Sequence, residues 1–135
     1  MPEHVAARIT LDERKLSEEE LARTVADADF AVLPYRRILN SGSLLLAFSL
    51  GVPAVVPDLP AMRELVADGE NGFLYAANKI DALAAALARA AATSTEEREA
   101  MRIAARASAE RLAWSNLADR LRALFDNAPL EDLAA

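Results

Sequence analysis

YRRILNSGSLLLAFSLGVPAVVPD, Tyr35 to Asp58, sets two arginines ahead of a small-polar cluster, Asn40-Ser41-Gly42-Ser43, and carries no charge between Ile38 and Pro57. A membrane span would need about 18 or more apolar residues in succession. Asn40, Ser41, Ser43 and Ser49, with Gly42, Gly51, Pro53 and Pro57, interrupt the run where a helix followed by a strand needs breaks. The stretch therefore divides in two. GSLLLAFSL reads as a helix stopped by Gly51, whose missing Cβ suits a left-handed C-terminal position. VPAVVP is short and β-branched, as a strand buried on both faces would be.

Working outward, DFAVLPY is a second buried strand, ending at Pro34. Upstream, VAARIT is a weaker strand candidate, and Ser17 with Glu20 forms a capping box that opens a helix through ELARTVADA. Downstream come a short helix PAMRELVA, the turn-rich DGENG and a brief strand FLY. The Ala-rich remainder is helical: IDALAAALARAA, then STEEREAMRIAARASAERLAW behind a second capping box (Ser94, Glu97), then NLADRLRALF capped by Ser115. NAPLEDLAA, 127–135, reads as a frayed end. Strand and helix in alternation, with uninterrupted apolar strands, imply an α/β fold whose parallel sheet is covered on both faces. Strands near 31–33 and 54–56 are expected to be parallel neighbours.

Composition limits the function. At 135 residues the chain has the size of one domain and can bury about two-thirds of its unfolded surface. Twenty-one acidic against 15 basic residues give a net charge of −6, and no basic block interleaves with aromatics, so a nucleic-acid partner is not supported. Cysteine is absent, which excludes disulfides and thiolate metal sites and suits a reducing compartment. The N-terminus has no apolar segment of signal-peptide length. A cytoplasmic location is the expectation, and no Asp/His cluster has metal-ligand spacing, so no metal or other cofactor is expected.

In sheets of this kind ligands bind outside the carboxyl ends of the strands. Two segments qualify, Tyr35 to Ser43 and Asp58 to Ala61. The first runs into a helix whose opening residues, Gly42 and Ser43, are small. Its unpaired N–H groups and positive dipole end suit a phosphate. Gly42 is either a turn glycine or a point of ligand approach, and Tyr35, Arg36 and Arg37 are either solvated loop residues or ligand contacts. Asp68, Gly69, Asn71 and Gly72 read as turn formers. His4, the one histidine, has no catalytic partner near it in sequence, and Trp114 reads as a packing anchor.

DADFAVLPYRRILNSGSLLLAFSLGVPAVVPDLPAMRELVADGENGFLY, Asp27 to Tyr75, resembles the donor-binding C-terminal segment of the GT-B glycosyltransferases of group 1 (family 4). LAWSNLADRLRALF resembles that family's closing helix, so the resemblance runs from about Leu21 to Phe125. It implies a Rossmann-like domain over 1–127, helical over 78–127, with 128–135 as a tail. It also implies transfer of a hexose from a nucleotide-diphosphate sugar to an acceptor. Ser41, Gly42, Ser43 and Leu44 stand where the family's backbone amides meet the donor diphosphate, Arg36 and Arg37 where phosphate or sugar contacts would fall, and Tyr35, Asn40 and Glu64 are further donor-side positions. The family's two acidic donor-binding positions fall on Ile38 and Leu46, neither of which is acidic.

Nothing in the sequence corresponds to the family's N-terminal acceptor domain, or to the first strand, glycine loop and basic pair of the donor domain. The chain is thus expected to be a fragment or truncated product, inactive alone, and prone to self-association through exposed sheet edge and apolar surface. The alternatives are a noncatalytic interaction module and a fragment of a GT-B nucleotide-sugar epimerase. The catalytic residues, sugar, nucleobase and acceptor are not specified by these residues.

Overall fold

The computed structural model describes residues 3–112. In chain order the elements are α1 (Glu3–Ala6), α2 (Glu18–Ala26), β1 (Ala31–Val32), α3 (Gly42–Ser49), β2 (Ala54–Pro57), α4 (Pro60–Arg63), β3 (Gly72–Tyr75), α5 (Ile80–Ala92) and α6 (Thr95–Arg111). The expected helix from Ser115 and the tail lie outside the described residues.

The three strands form a parallel sheet in the order β1-β2-β3. Ala31 stands beside Ala54, and Ala54 beside Gly72, so the expected parallel pairing holds; β1, expected to be buried, is instead, among the described residues, an edge strand with Val32 exposed. All four residues of β2 are buried, and successive side chains point to opposite faces. Ala54 and Val56 join Leu44 and Phe48 of α3, Met62 of α4 and Ala105 of α6. Val55 joins Phe73 and Tyr75 of β3, Ala86 and Ala90 of α5 and Met101 of α6. Helices thus cover both faces, and the uncharged run is apolar because it supplies the middle strand and a helix packed upon it.

Local chemistry fixes most element ends. Both capping boxes form: Glu20 N–H donates to Ser17 Oγ at 3.2 Å while Ser17 N–H donates to Glu20 Oε2 at 2.8 Å, and Ser94 and Glu97 repeat the pattern at 3.2 and 2.9 Å. Gly51 ends α3 with φ 69°, and Val52 N–H donates to Ala47 O at 2.8 Å beyond it. Polar contacts then clamp α6 onto the domain. Arg98 pairs with Asp29 at 2.6 Å, Arg102 donates to Ala28 O at 3.3 Å, and Asn71 Nδ2 donates to Ser108 Oγ at 3.0 Å.

Two expected elements differ. VAARIT is not a strand: α1 runs through Ala6 and a turn follows. Among the described residues no strand pairs with this segment, and an extended segment is stabilised only by a neighbour with which to share a ladder. The helix expected over PAMRELVA ends at Arg63. Asn71 explains the early stop, because its Oδ1 accepts from Ala67 N–H and its Nδ2 donates to Leu65 O, both at 2.9 Å. Those are backbone groups that a longer helix would engage.

Beside β3, Asp68 accepts from Leu74 N–H at 2.8 Å and from the Arg89 guanidinium at 3.0 and 3.3 Å, while Arg89 also lies 4.5 Å over the Phe73 ring. Burial pushes the Asp68 carboxyl up, but the Arg89 and Leu74 hydrogen bonds outweigh it and hold it below its ordinary value of 3.8. A carboxyl depressed in the folded state contributes stability that is present above the unfolded value and is lost as pH falls through the folded one. Asp68→Asn is therefore expected to lower stability at neutral pH and to narrow its gap to the parent protein as acid is added. Urea unfolding at pH 7 and pH 3 measures this, and a gap independent of pH would contradict it.

Candidate functional site

The carboxyl ends of the strands open on two connected features. The first is the start of α3. Ser41 is its N-cap, buried, and Ser41 Oγ accepts from Leu44 N–H at 3.0 Å. The Tyr35 hydroxyl stands 3.2 Å from the same Oγ, so the segment leaving β1 is tied to the helix start. Gly42 and Ser43 are exposed. A Cβ added at Gly42 would meet nothing within 4 Å, and Gly42 does not have a positive φ. Neither packing nor backbone conformation requires a glycine there. Among the described residues the N–H groups of Gly42 and Ser43 have no hydrogen-bond acceptor, as expected for the first turn of a helix.

The residues singled out from the sequence separate in space. Ser41, Gly42, Ser43 and Tyr35 come together, with Asn40 exposed just before them. Leu44 is fully buried and its N–H is committed to Ser41, so it belongs to the core and the cap. Arg36 and Arg37 are exposed, and neither has an ion-pair partner among the described residues. Glu64 stands at the C-cap of α4 and lines a different hollow, with Asn71, Ser108 and Arg111. Ile38 packs against the cluster around Phe48. After β2, Asp58 is held by the Nε and Nη2 of Arg63, whose hydrogen bonds keep its carboxyl below the ordinary range.

The second feature is an open cleft of about 280 Å³ beside this loop. Tyr35 and Arg36 line one side, Asn78, Lys79 and Ile80 the other, and Tyr75 lies at the end of β3. Burial pushes the Tyr75 hydroxyl pKa up. Asn78 adopts φ 61°, turning the chain sharply out of β3 and into α5. Asn78 and Lys79 were not among the residues expected from the sequence, where they read only as the beginning of the helical half. The signal for them was their place between a strand and a helix, at the sheet's carboxyl end.

A larger hollow of about 730 Å³ lies among Phe73, Met101, Ala100 and Arg89, bordered by Gly69 and Glu70. Gly69 and Glu70 precede β3, so this hollow is at the opposite end of that strand, and its Arg89 is already engaged by Asp68. Among the described residues no group of three or more His, Cys, Asp or Glu side chains could hold a metal ion, and no helix is long and apolar enough to cross a membrane.

A family model described as "Glycosyl transferases group 1" matches residues 3–93. The GDP-mannose:glycolipid 4-beta-D-mannosyltransferase of Xanthomonas campestris pv. campestris is 45% identical over 51 residues, which are 38% of this chain and 15% of that protein. The solved structure of sucrose-phosphate synthase from Thermosynechococcus elongatus superposes with a TM-score of 0.75 at 21% identity, covering 93% of this chain and 32% of that one. At that identity the second likeness speaks to the fold alone. The chain spans a minor part of the length of both proteins.

Proposed function

The chain belongs to the group 1 glycosyltransferases and has the Rossmann-like α/β fold of a GT-B enzyme, and from that premise we propose that it is the part of such an enzyme that binds a nucleotide-diphosphate sugar. The observation carrying this reading is the start of α3, at the carboxyl end of the sheet: Gly42 and Ser43 are exposed there and, among the described residues, their N–H groups have no acceptor. Amides and the positive helix end lower the energy of an anion. In a transfer reaction that anion is the departing nucleoside diphosphate, whose developing charge such groups stabilise as the glycosidic bond to the acceptor forms. Arg36 and Arg37 are cations next to this point with no ion-pair partner among the described residues, and are assigned to the phosphates or the sugar.

The reaction further requires an acceptor site, which the proposal places on a partner domain, and it requires no metal. The Xanthomonas relative is named for GDP-mannose as its donor, which makes a hexose the favoured sugar for the intact enzyme. Ser41 and Tyr35 position the helix start, while Leu44 contributes packing rather than a donor contact.

An exposed helix terminus contributes about 0.3–1 kcal/mol per charge, and the chain has isoleucine and leucine at the family's two acidic donor-binding positions. UDP and GDP are therefore expected to bind the isolated chain with dissociation constants on the order of 1 mM. Gly42→Val places bulk in the open approach without disturbing packing, and is expected to weaken binding at least about threefold. Ligand-observed NMR on the two proteins measures the difference, and undiminished affinity in the valine variant would remove the assignment.

A further inference from the structure

We propose that the cleft between the 34–36 loop and the start of α5 is a second phosphate site, distinct from the start of α3, and that it takes a small phosphomonoester. Arg36 and Lys79 both line it, and none of its lining residues is acidic. In a chain with 21 acidic and 15 basic residues, a hollow bearing two cations and no carboxylate runs against the composition. Both cations are also unengaged: Arg14, Arg23, Arg63, Arg89 and Arg98 all hold carboxylates, whereas Arg36 and Lys79 hold none among the described residues. The neighbouring acids do not cancel them. Asp58, whose N–H donates to Tyr75 O at 2.7 Å, is occupied by Arg63, and Asp81 lies in the first turn of α5 outside the cleft lining.

Size and lining select the ligand. A cleft of about 280 Å³ falls just below the range of roughly 300–1,000 Å³ typical of sites for drug-sized ligands, which suits a phosphate carrying one small substituent rather than a whole nucleotide. Tyr75, Ile80 and Leu83 give it an apolar wall against which a sugar ring or short alkyl group can rest, while Tyr35 and Asn78 offer hydrogen bonds. Tyr35 also forms the wall shared with the α3 start, through its contact with Ser41. A phosphorylated small molecule held here would lie beside the proposed donor phosphates. The inference extends the donor reading, shares Tyr35 and Arg36 with it, and adds Tyr75, Asn78, Lys79 and Ile80.

The test is an amide-resolved NMR titration of the whole chain with inorganic phosphate, glucose 1-phosphate and UDP, in the parent protein and in Lys79→Gln. Lys79 is exposed, so this variant keeps the fold. Glucose 1-phosphate is expected to shift the amides of Tyr35, Arg36, Lys79 and Ile80, with at least about fivefold weaker binding in Lys79→Gln and in higher salt. Inorganic phosphate binding as tightly as glucose 1-phosphate supports a site for phosphate alone, and weaker binding supports a sugar phosphate. If UDP shifts these amides and glucose 1-phosphate does not, the occupant is the donor's own diphosphate and the second site is refuted. Absence of shifts with every probe, or unchanged affinity in Lys79→Gln, refutes it too. A response of Gly42 and Ser43 to UDP in those cases shows that the donor reading survives on its own.

Discussion

Replacing Phe48 by alanine is expected to destabilise the protein by about 3–5 kcal/mol, the range for removing a fully buried aromatic ring from a packed core. Phe48 has no exposed surface and shares its cluster with Leu44 of its own helix and with Val56, Met62 and Ala105, so the packing of α3 against three other elements, β2, α4 and α6, is weakened at once. Domains of this size are stable by only about 5–15 kcal/mol, and a loss of this size is a large fraction of the total. Urea unfolding of parent and variant measures it. A loss below about 1 kcal/mol would mean that α3 is not held against the sheet as described, and the geometry of its N-terminus would lose its support.

Gly72→Ala is the second large effect. A Cβ at Gly72 would stand 2.3 Å from Ala54 O and 3.2 Å from that residue's C and N. All three are backbone atoms of the adjacent strand, with Ala54 registered directly against Gly72. No side-chain rotation relieves the clash, so β2 and β3 must separate, at the upper end of the roughly 1–3 kcal/mol typical of overpacking or beyond it. Gly42→Ala is the control, because its added carbon meets open space; that change is expected to be neutral or slightly stabilising by restricting the unfolded chain. Equal effects from the two substitutions would contradict the sheet register.

Features that depend on neighbouring residues alone were legible in the sequence. Ser17 with Glu20, Ser94 with Glu97, and Gly51 with its positive φ each act within one helical turn, and each forms as the sequence implies. The strand β2 was legible because an uncharged, β-branched segment can be satisfied only between two covered faces, whereas β1, read as equally buried, is among the described residues an edge strand that leaves Val32 exposed. VAARIT and the end of α4 were not, because a partner strand and the reach of Asn71 are tertiary facts. In the site, the cap could have been read: a serine N-cap accepts from the amide two or three residues on, and Leu44 N–H donates to Ser41 Oγ. Lys79 could not, since nothing local to ANKI indicates that it faces Arg36 across a cleft formed by residues more than a strand and a helix apart.

The central claim is that the start of α3 receives the donor diphosphate, and the most direct measurement is an amide-resolved NMR map of the chain titrated with UDP and GDP. The account predicts that Gly42 and Ser43 shift most, that Leu44 shifts less because its N–H remains on Ser41 Oγ, and that Gly42→Val suppresses the response. Shifts that cluster in the hollow around Phe73 and Met101, and are indifferent to the Gly42 substitution, would contradict it.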